Sequence, residues 1–225
     1  GSFAINSSCG RLPRNTEARE AAVRVIEGGG VGADPALADS AAFVDAHSEW
    51  VDAWVEGAVG ELLDTGKRVG VVGGDHSVAY GSIAAHLKRW PELGVLHIDA
   101  HADLREAYEG FRWSHASVFY NVRERLDVGA VVSVGLRDLA ESEHRILESD
   151  SRLHPFYDPW LRARLQEGTP WAELAAQAVS RLPQHVYVSF DIDGLDPSLC
   201  PGTGTPVPGG LSFSEATSLL KTVVA

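Results

Sequence analysis

The sequence predicts an α/β fold, with a mainly parallel sheet covered by helices on both faces, in a single domain over residues 1–225. Three observations lead there. Short β-branched runs recur along the chain, and stretches with apolar residues at helical spacing separate them. No repeat, low-complexity tract or interdomain linker interrupts that alternation. With 225 residues, 44% of them hydrophobic and 22% charged, the chain is long and apolar enough to bury a substantial core.

In chain order, Gly28-Gly29-Gly30 with Val31-Gly32 reads as a surface loop, and Asp39 to Leu63 as a helix. Val69-Gly70-Val71-Val72 reads as a buried strand that ends in the turn Gly73-Gly74. Ser77 to Trp90 is helical, Gly94 to Ile98 the second strand, and Ala130 to Val134 the third. A fourth strand is predicted over Val186 to Phe190. Helical patterns fill the remaining gaps, notably Ala140–Glu148 and Trp171–Leu182, and the stretch from Ser212 onward is helical too.

Composition removes several classes of function. With 31 Asp and Glu against 19 Lys and Arg, the formal charge is −12, so no basic face is available for a nucleic-acid partner. No apolar run reaches the ~18–20 residues of a membrane span, so no membrane association is expected. The start of the chain has neither the basic nor the apolar region of a signal peptide, and Cys9 and Cys200 permit at most one bridge. A cytoplasmic protein is the expectation.

Sheets of this kind carry their chemistry just beyond the carboxyl ends of the strands. Three of the four predicted ends bear metal-type ligands: Gly73-Gly74-Asp75-His76-Ser77, Asp99-Ala100-His101-Ala102-Asp103, and Asp191-Ile192-Asp193-Gly194-Leu195-Asp196-Pro197. In extended chain, side chains alternate, which would aim Asp99, His101 and Asp103 one way and Asp191 and Asp193 likewise. Carboxylates packed so closely repel unless protonated or neutralised, and a cation resolves the conflict. Two imidazoles and four carboxylates without a thiolate disfavour structural zinc, and the histidines disfavour calcium. Six ligands exceed the needs of one ion. Two divalent ions ~3.5–4 Å apart with shared carboxylates fit better, manganese first. His97, inside a strand, reads as a hydrogen-bonded structural residue.

These three blocks, with Ser189-Phe190 ahead of the third and Pro201-Gly202-Thr203-Gly204-Thr205-Pro206 after it, resemble the signature blocks of the ureohydrolases, the arginases and agmatinases. The resemblance runs from about Gly66 to Leu220. It implies a three-layer α/β/α sandwich with two Mn²⁺, His76 and Asp103 at one ion, His101 and Asp193 at the other, and Asp99 and Asp191 bridging. It implies hydrolysis of a guanidino substrate, agmatine or arginine, to urea and an amine by attack of a metal-bridging hydroxide, with Asp103 passing a proton to the leaving nitrogen. Ser114-His115-Ala116-Ser117 resembles the segment whose histidine sits at the pocket mouth, giving His115 a role in proton transfer or substrate contact. The stretch Ala107–Ser117 is closer to agmatinases and plant-type arginases than to animal arginases, and Arg105 stands among the residues that would meet the substrate tail. A homo-oligomer, trimer or hexamer, and a place in arginine or polyamine metabolism follow from the same resemblance.

Three departures are visible. Where animal-type arginases carry polar residues, an asparagine among them, that grip the amino-acid head of the substrate, this chain has Leu104-Arg105-Glu106-Ala107-Tyr108-Glu109-Gly110, so that grip is not carried over. The family's opening strand is not found before Ser7, and its late acidic residue has no counterpart before Ala225, so the domain is expected to lack both edge segments. The alternatives are a hydrolase of a guanidino acid, guanidine or a formimino compound, a one-zinc deacetylase on the related fold, and an inactive or truncated metal-binding subunit.

Overall fold

Strands β1 (Gly94–Ile98), β2 (Ala130–Leu136), β3 (Leu153–Tyr157) and β4 (Val186–Phe190) form one parallel sheet in the order β3-β2-β1-β4. The computed structural model describes residues 12–224, and the expected absence of an opening strand before Ser7, like Cys9, lies outside them. The helices are α1 (Leu12–Glu27), α2 (Ala38–Asp64), α3 (Ala79–Arg89), α4 (Val118–Arg125), α5 (Glu141–Ser149), α6 (Asp158–Gln166), α7 (Trp171–Val179) and α8 (Phe213–Val224).

Alternation along the strands makes the layers. Val95 and Val131 face Ile83 of α3, Val118, Phe119 and Val122 of α4, and Leu147 of α5. Their neighbours Leu96, Ile98, Val132 and Val134 face Leu161 of α6, Leu174 and Ala178 of α7, and Ala216 and Leu219 of α8. The result is the three-layer α/β/α sandwich. Outside it, α2 packs Val55, Val59 and Leu63 on Ala85 of α3, and α1 packs Val25 near Ala41 and Phe111.

Besides α1, which the sequence expectation does not name, three elements differ from it. Val69–Val72 is not a strand: Val69 and Val71 are half-buried beside α2 and α3, Val72 is fully exposed, and no strand among the described residues pairs with the segment. A β-branched run becomes a strand only where an edge receives its backbone groups. The unpredicted β3 carries Pro155, which an edge strand tolerates and an inner strand does not. The glycine cluster is also more than a loop. Gly30 N–H donates to Val25 O (2.8 Å) and Gly29 N–H to Ile26 O (3.0 Å), with both glycines at positive φ, a Schellman stop that ends α1.

From β1 the chain builds β2 and β3 to one side, then returns through α6 and α7 to β4 on the other. Strand order therefore reverses beside β1, and a crevice opens between the carboxyl ends of β1 and β4.

The α2–α3 interface contains a pH-sensitive group. Burial pushes the Asp52 carboxyl from 3.8 up to about 7, Glu49, Asp75 and Glu56 add to it, and the Gly81 N–H offsets only part. A carboxyl raised in the folded state favours folding below its unfolded pKa; that contribution is lost as pH rises through the window from 3.8 to about 7. Asp52→Asn, which mimics the protonated form, should stabilise the fold by on the order of 1–3 kcal/mol more at about pH 8 than at about pH 5. Urea midpoints at the two pH values check this, and an equal gain at both contradicts it.

Candidate metal centre

The segment after β1 turns at once. Asp99 Oδ1 accepts the His101 N–H at 2.7 Å, and Asp99 is 1% exposed. Its other oxygen, Oδ2, lies 2.9 Å from His97 Nε2, while His97 Nδ1 meets Ser133 Oγ on β2 at 3.1 Å. His97 is wholly buried, and burial lowers its pKa, so a neutral ring can spend both nitrogens on hydrogen bonds that aim Asp99.

His76 opens a short 3₁₀ turn, His76–Val78, capped by Asp75, whose Oδ1 accepts the Ser77 N–H at 2.9 Å. His76 Nε2 meets Ser189 Oγ on β4 at 2.7 Å, which directs Nδ1 into the crevice. There it lies 2.9 Å from Asp99 Oδ2, 3.1 Å from Asp103 Oδ2 and 3.5 Å from Asp191 Oδ2. Asp191 ends β4 and caps the 3₁₀ turn Ile192–Gly194, its Oδ1 accepting the Asp193 N–H at 3.0 Å. Asp193 Oδ1 accepts the Ala100 N–H at 3.1 Å, and its Oδ2 takes Thr205 Oγ1 at 2.9 Å. His101 Nδ1 stands 3.1 Å from Asp193 Oδ2 and 3.4 Å from Asp99 Oδ1. Close approach of these two arms requires Gly194, where a Cβ would sit 2.8 Å from Asp99 N.

All six residues singled out as ligands thus meet, but not by strand alternation. Asp191 and Asp193 converge through a 3₁₀ turn, and Asp103 takes a left-handed backbone (φ 53°) just past the β1 turn. The extended-chain expectation fails because short aspartate side chains cap their own backbone two residues on, and so bend it.

The atoms close enough to share an ion fall into two groups, His76 with His97, Asp99 and Asp103, and His101 with Asp99 and Asp193, which share Asp99; Asp191 stands just outside them, 3.5 Å from His76 Nδ1. One atom tests the fit of a cation. His76 Nδ1 is buried without a hydrogen bond, although three carboxylate oxygens surround it. Ligands ~2.1 Å from a shared ion lie about 3.0–3.4 Å from each other, close to the 2.9–3.5 Å by which these histidine nitrogens and carboxylate oxygens are separated. The donor set, imidazole and carboxylate with no thiolate, suits a borderline-to-hard divalent ion.

Electrostatics agree with that fit. Burial opposes a charge on His76, yet Asp103 and Asp99 beside it hold its pKa well above the ordinary value. Asp193 and Asp99 raise His101 to about 10. Burial pushes Asp103 up to about 7, and burial together with Asp99 raises Asp191. The polypeptide alone therefore balances this cluster only with bound protons, which cations would displace.

The cluster forms the floor of a cleft of about 900 Å³. His115, in the 3₁₀ turn before α4, lies on its wall, exposed, with its ring edge-on to Tyr108 at 5.6 Å. Arg105 lines the same wall, but its Nε is held 3.0 Å from Glu143 Oε2. Buried Glu143 also accepts the Leu104 and Ala140 N–H groups. Glu143 and Thr205 were not singled out as site residues by sequence reading; Thr205 lies in the Pro201–Pro206 block that resembles the family, whereas nothing but tertiary contact marks Glu143.

A sequence profile described as the arginase family matches residues 21–225. The chain belongs to the arginase family. Among curated relatives, the N(1)-aminopropylagmatine ureohydrolase of Thermus thermophilus is 37% identical over 169 residues, covering 72% of this chain and 52% of that protein. The agmatinase of Halalkalibacterium halodurans is 36% identical over 171 residues, covering 76% and 54% respectively. Among solved structures of the family, the arginase from Medicago truncatula aligns with a TM-score of 0.68 at 27% identity, over 77% of this chain and 54% of that one. The chain spans about half the length of the curated relatives it matches. Among the described residues no helix is long and apolar enough to cross a membrane.

Proposed function

We propose that this chain is a binuclear manganese hydrolase that cleaves a guanidino compound, agmatine or arginine, to urea and an amine. The observation that carries the reading is the pair of donor groups sharing Asp99, with the bare Nδ1 of His76 at the centre of one of them. His76 and Asp103 would hold one ion, His101 and Asp193 the second, and Asp99 and Asp191 would reach both.

When bound, two such ions supply Lewis acidity and bring the ionisation of water close to neutral pH. The chain's own residues do the rest. Asp103, buried beside His76, takes up the proton of the attacking water at its carboxylate and returns it to the leaving nitrogen. His97 and Ser189 keep Asp99 and the His76 ring in fixed orientations, so little reorganisation is needed during reaction. His115 and Arg105 on the wall meet the substrate beyond its guanidinium group.

Urea release from agmatine, arginine, 4-guanidinobutyrate and guanidine by the Mn²⁺-loaded protein tests the reaction, and one bound zinc in place of two manganese ions would favour a deacetylase. His115→Ala should retain both ions and slow turnover by about 10- to 100-fold. Metal content measured beside the rate checks this, and loss of an ion would refute the assigned role.

A further inference from the structure

Arg137, one residue beyond β2, bears no side-chain group toward the cleft cluster, yet both its backbone and its guanidinium grip the segments that carry the ligands. Its N–H donates to Ala100 O at 2.8 Å, and the Asp138 N–H donates to the same carbonyl at 3.1 Å. Ala100 is the residue between Asp99 and His101. The guanidinium crosses to the other arm. Nη2 donates to Asp193 O at 2.7 Å, Val207 O at 3.0 Å and Leu195 O at 3.2 Å, Nε to Val207 O at 3.2 Å, and Nη1 to Gly135 O at 3.0 Å. One residue therefore fastens the 99–101 turn, the 193–195 turn, and the loop bearing Val207 two residues after Thr205.

We infer that Arg137 is a positioning residue for the ion held by His101 and Asp193, setting the gap between the two turns that supply those side chains. The inference rests on the proposed binuclear centre. His101 Nδ1 and Asp193 Oδ2 belong to separate arms, which are tied one step back by the Asp191 N–H to Ile98 O at 2.8 Å and, between the two turns, by the Ala100 N–H to Asp193 Oδ1. Arg137 braces both ends of that tie. The His76 side is fastened differently, through Ser189, and does not depend on Arg137. Only a planar, multi-donor cation can hold four carbonyls from three segments at once; an ammonium cannot.

The test is titration of the metal-free protein with MnCl₂ by calorimetry, paired with electron paramagnetic resonance of the loaded protein. Arg137→Ala should weaken one of the two ions about 10- to 100-fold and leave the other unchanged. Its spectrum should change from that of a spin-coupled pair to that of isolated Mn²⁺. Arg137→Lys should recover part of the affinity, since one ammonium can reach some of these carbonyls. Wild-type affinity for both ions in Arg137→Ala overturns the inference, and so does equal weakening of both, which would mark a general structural role. If Arg137→Ala does not fold by circular dichroism, Arg137→Lys decides by the same criteria. Failure of the wild-type protein to bind two ions is a different result, and it refutes the binuclear centre itself.

Discussion

Asp99→Ala should abolish binding of both ions and lower urea release by more than about 100-fold. Removing residues that merely orient ligands typically costs 10- to 100-fold, so losing a shared ligand costs more. Asp99 is the one carboxylate whose two oxygens face the two different histidines, Oδ2 toward His76 and Oδ1 toward His101. Asp191 also stands near His76, but at 3.5 Å and in a more open position, 26% exposed against 2% for the Asp99 side chain. The alanine variant has a second effect. It leaves His97 Nε2 buried without its partner, at a cost of about 1–3 kcal/mol. Asp99→Asn keeps a hydrogen-bonding oxygen in place, so it should lose the metals with a smaller fall in melting temperature. Metal content after loading and gel filtration, with melting curves of the metal-free forms, separates the two effects. Two retained ions in either variant would contradict the shared-ligand assignment.

His101→Ala should reduce the stoichiometry from two ions to one, with activity lower by about 100-fold or more. None of the atoms around His76 Nδ1 comes from His101, so that group survives the substitution intact. The second ion then loses its one imidazole and keeps only carboxylates, Asp99, Asp191 and Asp193 on the proposed assignment, a weaker donor set. His101 is also the more accessible of the two imidazoles, at 24% side-chain exposure against 7% for His76, so its replacement disturbs little packing. Loss of both ions here would mean that the two groups act as one site.

What could be read from the sequence follows from how local each signal is. β1, β2 and β4 are β-branched runs buried on both faces or flanked by clear turns, and α2 is long enough for its periodicity to dominate. β3 was missed because Pro155 breaks its pattern, and only its edge position excuses that proline. Val69–Val72 has every local mark of a strand and lacks only a partner, which no local signal reports. α1 relies on small residues, Ala18 and Ala21 with Val25, so its apolar stripe is faint, although Gly29 and Gly30 mark where it stops.

The candidate site was more legible than the fold around it. Its six residues lie in three short blocks, two of them just past β1 and β4 and the third just ahead of α3, so the chemistry of each block is visible without knowing the packing. The supporting residues are of the opposite kind. Ser133, Ser189, Glu143 and Arg137 act mainly through partners distant in sequence, for example His97 with Ser133, 36 positions apart, and His76 with Ser189, 113 apart. Ser189 at least adjoins the third signature block, but nothing in the neighbourhoods of Ser133, Glu143 and Arg137 distinguishes them from ordinary strand and loop residues. The means of convergence was also beyond reach, because Asx turns at Asp99 and Asp191 replace the extended geometry that residue spacing alone implies.

The most direct test of the central claim is a count of ions: metal-free protein titrated with MnCl₂, with stoichiometry from calorimetry and coupling from electron paramagnetic resonance. Two Mn²⁺ per chain with a spin-coupled spectrum is the predicted result. Saturation at one ion, or no binding by a folded protein, would contradict it.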